Sequence, residues 1–206
     1  MMKKTIAIFS VAVLLLGVGF FGYTQLNSNN PSEEMTITSS MEYPHYESID
    51  ALSNAASDIV MGKIVDVRVE ELDILIRTDD KDETLNPGGE ADNSLAIYTV
   101  YTLEIIDVYK GKTVSGERIK IKQLGGDNGE SIHLSESTLN LGNEHEYVFF
   151  LQSYDNVPAS ILNPYQGAYF FDENVSGTLS DKLLSVSTEN DLTLTYGDLQ
   201  SIVDKN

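Results

Sequence analysis

Residues 58–70 read DIVMGKIVDVRVE and residues 97–112 read IYTVYTLEIIDVYKGK, and these two runs decide the fold. In the first, Val65, Val67 and Val69 alternate with Asp66, Arg68 and Glu70, the period of two that marks a half-buried strand. In the second, Tyr101, Leu103 and Ile105 alternate with Thr102 and Glu104. The parity then flips, because Ile106 and Val108 are apolar and Asp107 is not. A flip inside a good strand predicts a β-bulge, which bends a strand around a barrel corner. Gly62 predicts a similar irregularity in the first run, since Val60 and Ile64 lie on the opposite parity from Val65.

Downstream, Lys110-Gly111-Lys112 is a turn, and Glu117–Leu124 (ERIKIKQL) alternates again, with Ile119 and Ile121 on one face and Arg118, Lys120 and Lys122 on the other. Lys110, Lys112, Arg118, Lys120 and Lys122 make this the most basic stretch of an acidic chain. They are the candidate binding residues, a basic face for an acidic ligand or partner. The alternative is cross-strand pairing with Asp66, Glu70, Glu104 or Asp107. Gly125–Gly129 (GGDNG) lacks the GK[ST] ending of a phosphate cradle and reads as a turn. Residues 130–144 are polar with scattered leucines. Glu146–Gln152 (EYVFFLQ) is a continuous apolar run, the pattern of a strand buried on both faces. Pro158 and Pro164 punctuate a loop, Gly167–Phe171 (GAYFF) is the fifth strand candidate, and Thr178–Val186 suggests a hairpin arm. Asp191 or Thr195 starts a final amphipathic helix carrying Leu199, Ile202 and Val203.

Upstream, Lys3-Lys4 precede an uncharged apolar run from Thr5 to Tyr23. This is the start of an export signal, and the run is about as long as a bilayer core requires. Residues 1–26 are therefore expected to anchor the chain in the cell membrane with the remainder outside. The alternative is cleavage and secretion. Residues 27–46 are polar, contain Pro31 and Pro44, and read as a tether. Residues 47–206 form the folded domain. Ser48 is the expected N-cap of a short helix with Ile49, Leu52, Ala55 and Ala56 at helical spacing. Between the two founding strands, residues 77–94 form a long acidic loop around Pro87-Gly88-Gly89. Asp79, Asp80, Asp82 and Glu83 there suggest calcium, but their spacing matches no EF-hand, and a solvated loop is the alternative.

The chain has 206 residues and a formal charge of −19. Its acidic surplus argues against nucleic acid and against anionic lipid as partners of the folded part, leaving the N-terminal segment as the only membrane contact. With no cysteine, thiolate metal sites, disulfides and a cysteine nucleophile are excluded. His45, His133 and His145 follow neither HExxH nor an i, i+4 spacing, and there is no G-x-S-x-G elbow. No cofactor is implied.

The order SDIVMGKIVDV, variable loop, YTVYTLEIIDVYKG, third strand, then EYVFFL resembles the netrin-like or tissue-inhibitor-of-metalloproteinase type of OB-fold module, as in secreted or anchored proteins of Gram-positive bacteria. The resemblance rests on Asp58–Val65, Val108–Gly111 and Gly142–Leu151 and spans roughly residues 49–171. It implies a mainly β fold: a five-stranded OB-like barrel with a short N-terminal helix, a C-terminal hairpin and helix, and an N-terminal signal or membrane helix. It does not carry over the inhibitors' zinc-seeking N-terminal cysteine, which this chain lacks. The expected function is a non-catalytic extracellular binding module for a cell-surface or secreted protein partner. The alternatives are an inhibitor of an extracellular hydrolase acting through a loop, and an enzyme with an unrecognised site.

Overall fold

In the computed structural model, which describes residues 35–73, 95–171 and 182–205, the two founding runs are antiparallel partners, β2 (Asp58–Asp73) and β3 (Leu95–Lys110). Their register slips between Ile59 and Val60, between Met61 and Gly62, and between Ile64 and Asp66. At the second slip Met61 lies opposite Asp107 and Gly62 opposite Ile105, so Ile106 is the extra residue. The parity flip of the sequence is this bulge. Gly62 is required beside it, because a Cβ there would stand 2.9 Å from the Glu104 carbonyl oxygen.

Five strands close into a ring. β3 pairs with β4 (Arg118–Leu124), and the other edge of β2 pairs with β7 (Glu146–Gln152), both antiparallel. β8 (Ala159–Ile161) closes the circuit, antiparallel to β7 and parallel to β4. Outside the ring, β9 (Ala168–Phe170) extends β7, and β10 (Leu184–Ser185) extends β9. A second sheet orders β1 (Met35–Ser39), β6 (Ser131–Ser135) and β5 (Gly126–Asp127). Two helices complete the described residues, α1 (Ile49–Ala55) and α2 (Tyr196–Lys205). Ser48 caps α1, its hydroxyl accepting from the Ala51 N–H at 3.1 Å. Thr195 and Asp198 form a reciprocal capping box on α2: the Thr195 N–H donates to Asp198 Oδ2 at 2.8 Å, and the Asp198 N–H donates to Thr195 Oγ1 at 3.1 Å.

The ring and the helices bury two apolar clusters. All five ring strands contribute to the first, through Val60, Leu103, Ile121, Phe149 and Ile161 among others. The second joins Ile59, Val148, Phe150 and Tyr169 to Leu52 of α1 and Leu199 and Ile202 of α2. The continuous apolar run of β7 follows from this: Tyr147, Phe149 and Leu151 go to one cluster, and Val148 and Phe150 to the other. Each such fully buried side chain contributes about 1.5–3 kcal/mol of transfer free energy.

Several expectations are corrected. Val65, Val67 and Val69 are exposed, not buried. β7 accompanies β2 only from Asp58 to Lys63, so beyond that point β2 is, among the described residues, an edge of the β2–β3–β4 sheet. Val69 lies against Gly126 of β5, but all three valines stay open to solvent. The fifth ring strand is β8, inside the stretch read as a proline-flanked loop, and not GAYFF, which lies outside the ring. β8 has only three residues, too few to show a period, and its neighbours on both sides define it. β1 lies within the stretch read as a tether, paired parallel with β6, which itself lies in the segment read as polar with scattered leucines. The acidic loop and the N-terminal segment lie outside the described residues. Among the described residues no helix is long and apolar enough to cross a membrane.

One carboxylate ties the ring together. Asp58, buried at the start of β2, accepts from the Lys112 N–H at 3.1 Å and the Thr113 hydroxyl at 3.2 Å on one oxygen. Its other oxygen accepts from the Ser153 hydroxyl at 2.5 Å. Gly111 crosses directly over it with φ +110°, and a Cβ there would lie 2.0 Å from Asp58 Oδ1. Both the backbone conformation and the close approach demand glycine.

Two stability predictions follow from this packing. Asp58→Ala and Gly111→Ala are each expected to cost about 3 kcal/mol in urea unfolding, and the double variant less than their sum, because removing the carboxylate relieves the clash. Tyr169 is fully buried, and its hydroxyl makes no hydrogen bond of good geometry among the described residues. Burial pushes the phenol up to about 12, against a weaker opposing pull from the nearby Asn190 side chain. Tyr169→Phe should leave stability unchanged or raise it by up to about 2 kcal/mol in the same assay. A loss larger than 1 kcal/mol would show that the hydroxyl contributes.

Candidate functional site

The five basic residues have separate surroundings. The Lys110 amine donates to the Ser53 and Asn54 carbonyls at 2.8 and 3.3 Å, satisfying the C-terminal end of α1. Arg118 reaches across to Glu104, its register partner, with Nη2 2.8 Å from Oε2. Lys120 lies 3.5 Å from Glu70. These last two are exposed cross-strand pairs, each of small energetic weight. Lys112 and Lys120 line one cleft and Lys122 lines another, so the structure does not gather the five into one basic face.

Lys122 differs most from the expectation. Strand alternation puts it on the outer face of β4, away from Ile121 in the ring core. Yet only 7% of it is exposed, because the Ser153–Pro158 segment folds over it. Its amine donates to the Pro158 carbonyl and sits 4.5 Å from the centre of the Tyr154 ring. Burial lowers its pKa from the ordinary 10.5 to about 8.

The cleft above Lys122 has a volume of about 820 Å³. Tyr43, Tyr98, Tyr154 and Met41 supply its aromatic and apolar lining, and Ser137 and Asn156 are among its polar groups. Cross-strand register brings Tyr98 and Lys122 to the same outer face, with Tyr98 opposite Leu124 and Val100 opposite Lys122. Burial raises the Tyr98 pKa, and the neighbouring Tyr43 and Tyr154 hydroxyls raise it further. Tyr43 is delivered by the segment after β1. There the Asn163 side-chain amide donates to the Pro44 carbonyl at 2.8 Å, and Gln166 brackets the Tyr46 backbone at 2.9 Å on both its N–H and its carbonyl. The Tyr43 hydroxyl then lies 3.2 Å from that of Ser137, and its ring meets Tyr165 edge-on at 6.4 Å. The second cleft, about 930 Å³, is lined by Asp58, Glu70, Lys112, Glu117 and Lys120 and shares the 153–157 wall with the first.

The tyrosines were not singled out from the sequence. The one signal for Tyr43 and Tyr46 was two aromatic residues inside a polar, proline-containing stretch. The histidines are dispersed. His45 pairs with Asp191 at 3.3 Å on the surface, His133 Nε2 lies 2.9 Å from the Ser131 hydroxyl, and His145 stacks on Phe170 at 4.6 Å. Among the described residues no group of three or more His, Asp or Glu is placed to hold a metal.

The Lys122 shift carries a pH signature. The unfolded chain keeps the lysine proton up to about pH 10.5 and the folded chain only to about 8, so wild-type stability gains from this group as pH rises through that window. In urea unfolding at pH 7 to 10, the stability of wild type relative to Lys122→Met should be level below pH 8 and rise above it. A level difference throughout would mean that the amine is solvated. No family model matches this chain and no curated protein sequence matches it, so the site is read from its own geometry.

Proposed function

We propose that the chain is a non-catalytic binding module, held outside the cell by its N-terminal segment, with a five-stranded OB-like barrel of the netrin-like type as its scaffold. The observation that carries this reading is the tyrosine-lined cleft of about 820 Å³ on the outer side of β3 and β4. Its size and its mix of apolar wall with a few polar groups suit a ligand or a partner side chain. The pairing of the ring supports the scaffold: its strands are antiparallel except for the single parallel contact of β8 with β4, as an OB-like closure requires. In such barrels the face of the second and third strands, with the loops beside it, is a customary binding surface, and β3, β4 and the 153–158 loop hold these positions here. The Lys3-Lys4 and apolar leader, together with the acidic, cysteine-free remainder, support the extracellular location.

The test is crosslinking capture with the detergent-solubilised full chain against the producing cell's surface and secreted proteins, followed by affinity measurement on the purified partner. Tyr154→Ala and Tyr98→Ala, checked for folding by urea unfolding, should weaken that affinity at least tenfold. Undiminished affinity in both variants would displace the site from this cleft. Chemical turnover of a captured molecule would overturn the non-catalytic reading.

A further inference from the structure

We infer that this cleft is a carboxylate pocket, in which the Lys122 amine receives the carboxylate of a ligand whose apolar or aromatic body lies against Tyr43, Tyr98 and Tyr154. The inference deepens the binding-module reading and rests on it. Among the described residues Lys122 is the one basic residue lining the cleft, and its surroundings are unlike those of the other paired cations described. Arg118, Lys120 and Lys205 each meet a carboxylate, at 2.8, 3.5 and 3.0 Å, and each is exposed. Lys122 is buried, and its only hydrogen-bond acceptor among the described residues is the Pro158 carbonyl. An ammonium group has three donors. Buried lysines are normally matched by an anion, because desolvation penalises the charged form. Here the match is incomplete on the protein side, and the cleft is the open direction.

The walls define the rest of the ligand. Tyr43, Tyr98 and Tyr154 offer ring faces and hydroxyls, and Leu124, Ile161 and Met41 add apolar surface, which suits a body with an aromatic or branched group. Asp155 lines the same cleft and repels a carboxylate, so Lys122 is the charge there that attracts the ligand's acid. The pocket chemistry is shared by the C-terminus of a peptide and by a small organic acid.

Proton linkage gives the site a recognisable behaviour. With the free amine at about 8, a carboxylate ligand binds with proton uptake above that pH. Affinity should fall roughly thirtyfold between pH 7 and pH 9.5 as the charged fraction drops. Among the described residues the other titratable groups lining the cleft are Asp155, Tyr43, Tyr98 and Tyr154.

The test uses the full chain and three probes: fluorescein-labelled random hexapeptide pools with a free C-terminal acid, the same pools amidated, and 3-phenylpropionate as competitor. At pH 7 the acid pool should be retained at least tenfold over the amide pool, with the pH dependence above. This comparison needs no variant, so it stands even if Lys122→Met folds poorly. Where that variant folds, it should abolish the preference. Competition by 3-phenylpropionate assigns the carboxylate to a small acid, and retention of the acid pool against it assigns it to a peptide terminus. Equal retention of acid and amide pools, lost on Tyr154→Ala, overturns the carboxylate inference and leaves the binding module standing. Failure of every probe to bind overturns the inference, while the capture experiment still judges the module.

Discussion

The Asp58 carboxylate is the constraint on which the rest of the structure depends. It joins the start of β2, the turn after β3 and the residue after β7, three places far apart in sequence. Its position leaves no room for a side chain at Gly111, so the aspartate and the glycine form one device. Because Ser153 is one of its partners, the same carboxylate fixes where the 153–158 segment leaves the ring. Lys122 holds the other end of that segment through the Pro158 carbonyl. The wall shared by both clefts is therefore pinned at each end by a buried charged group, one negative and one positive. Fold and candidate site are coupled through these two residues.

The two-sided core explains why so short a ring is stable. β7 serves both apolar clusters at once, and the helices complete the second by covering Val148, Phe150 and Tyr169. Lys110 and Lys205 reinforce this layer electrostatically. Lys110 satisfies the carbonyls at the end of α1, and Lys205 at the end of α2 lies 3.0 Å from Asp50 at the start of α1. Much of the basic strand region is thus structural. Lys110 caps a helix, and Arg118 and Lys120 offset local carboxylates in a strongly acidic chain. Lys122 is the departure, a lysine for which burial outweighs any pairing with acids.

Legibility followed the length and regularity of the signal. The mainly β class, the β2–β3 pairing, the bulge at Ile106, the buried β7, the cap of α1 and the start of α2 near Thr195 were all readable, because each rests on local period or capping chemistry. The valine stripe misled because alternation reports that a strand has two unlike faces, not that an apolar face finds a cover. β8 was invisible because three residues carry no period. The cleft tyrosines were missed because Tyr98 reads as one more apolar residue of a strand, and Tyr43 as part of a polar connector.

The amino-acid sequence by itself determined the local terms: which of the longer segments are strands or helices, where they bend, and the absence of thiol chemistry. These follow from backbone sterics, periodicity and composition, which act over a few residues. Tertiary structure alone decided which face of β2 is covered, which short strand closes the ring, and that Lys122 lies buried beneath Tyr154 while Lys120, two residues away, reaches Glu70. The reason is that burial and charge environment are set by segments distant in sequence, here residues 41–46 and 153–158, and no local pattern encodes which segment will come to rest over a given side chain.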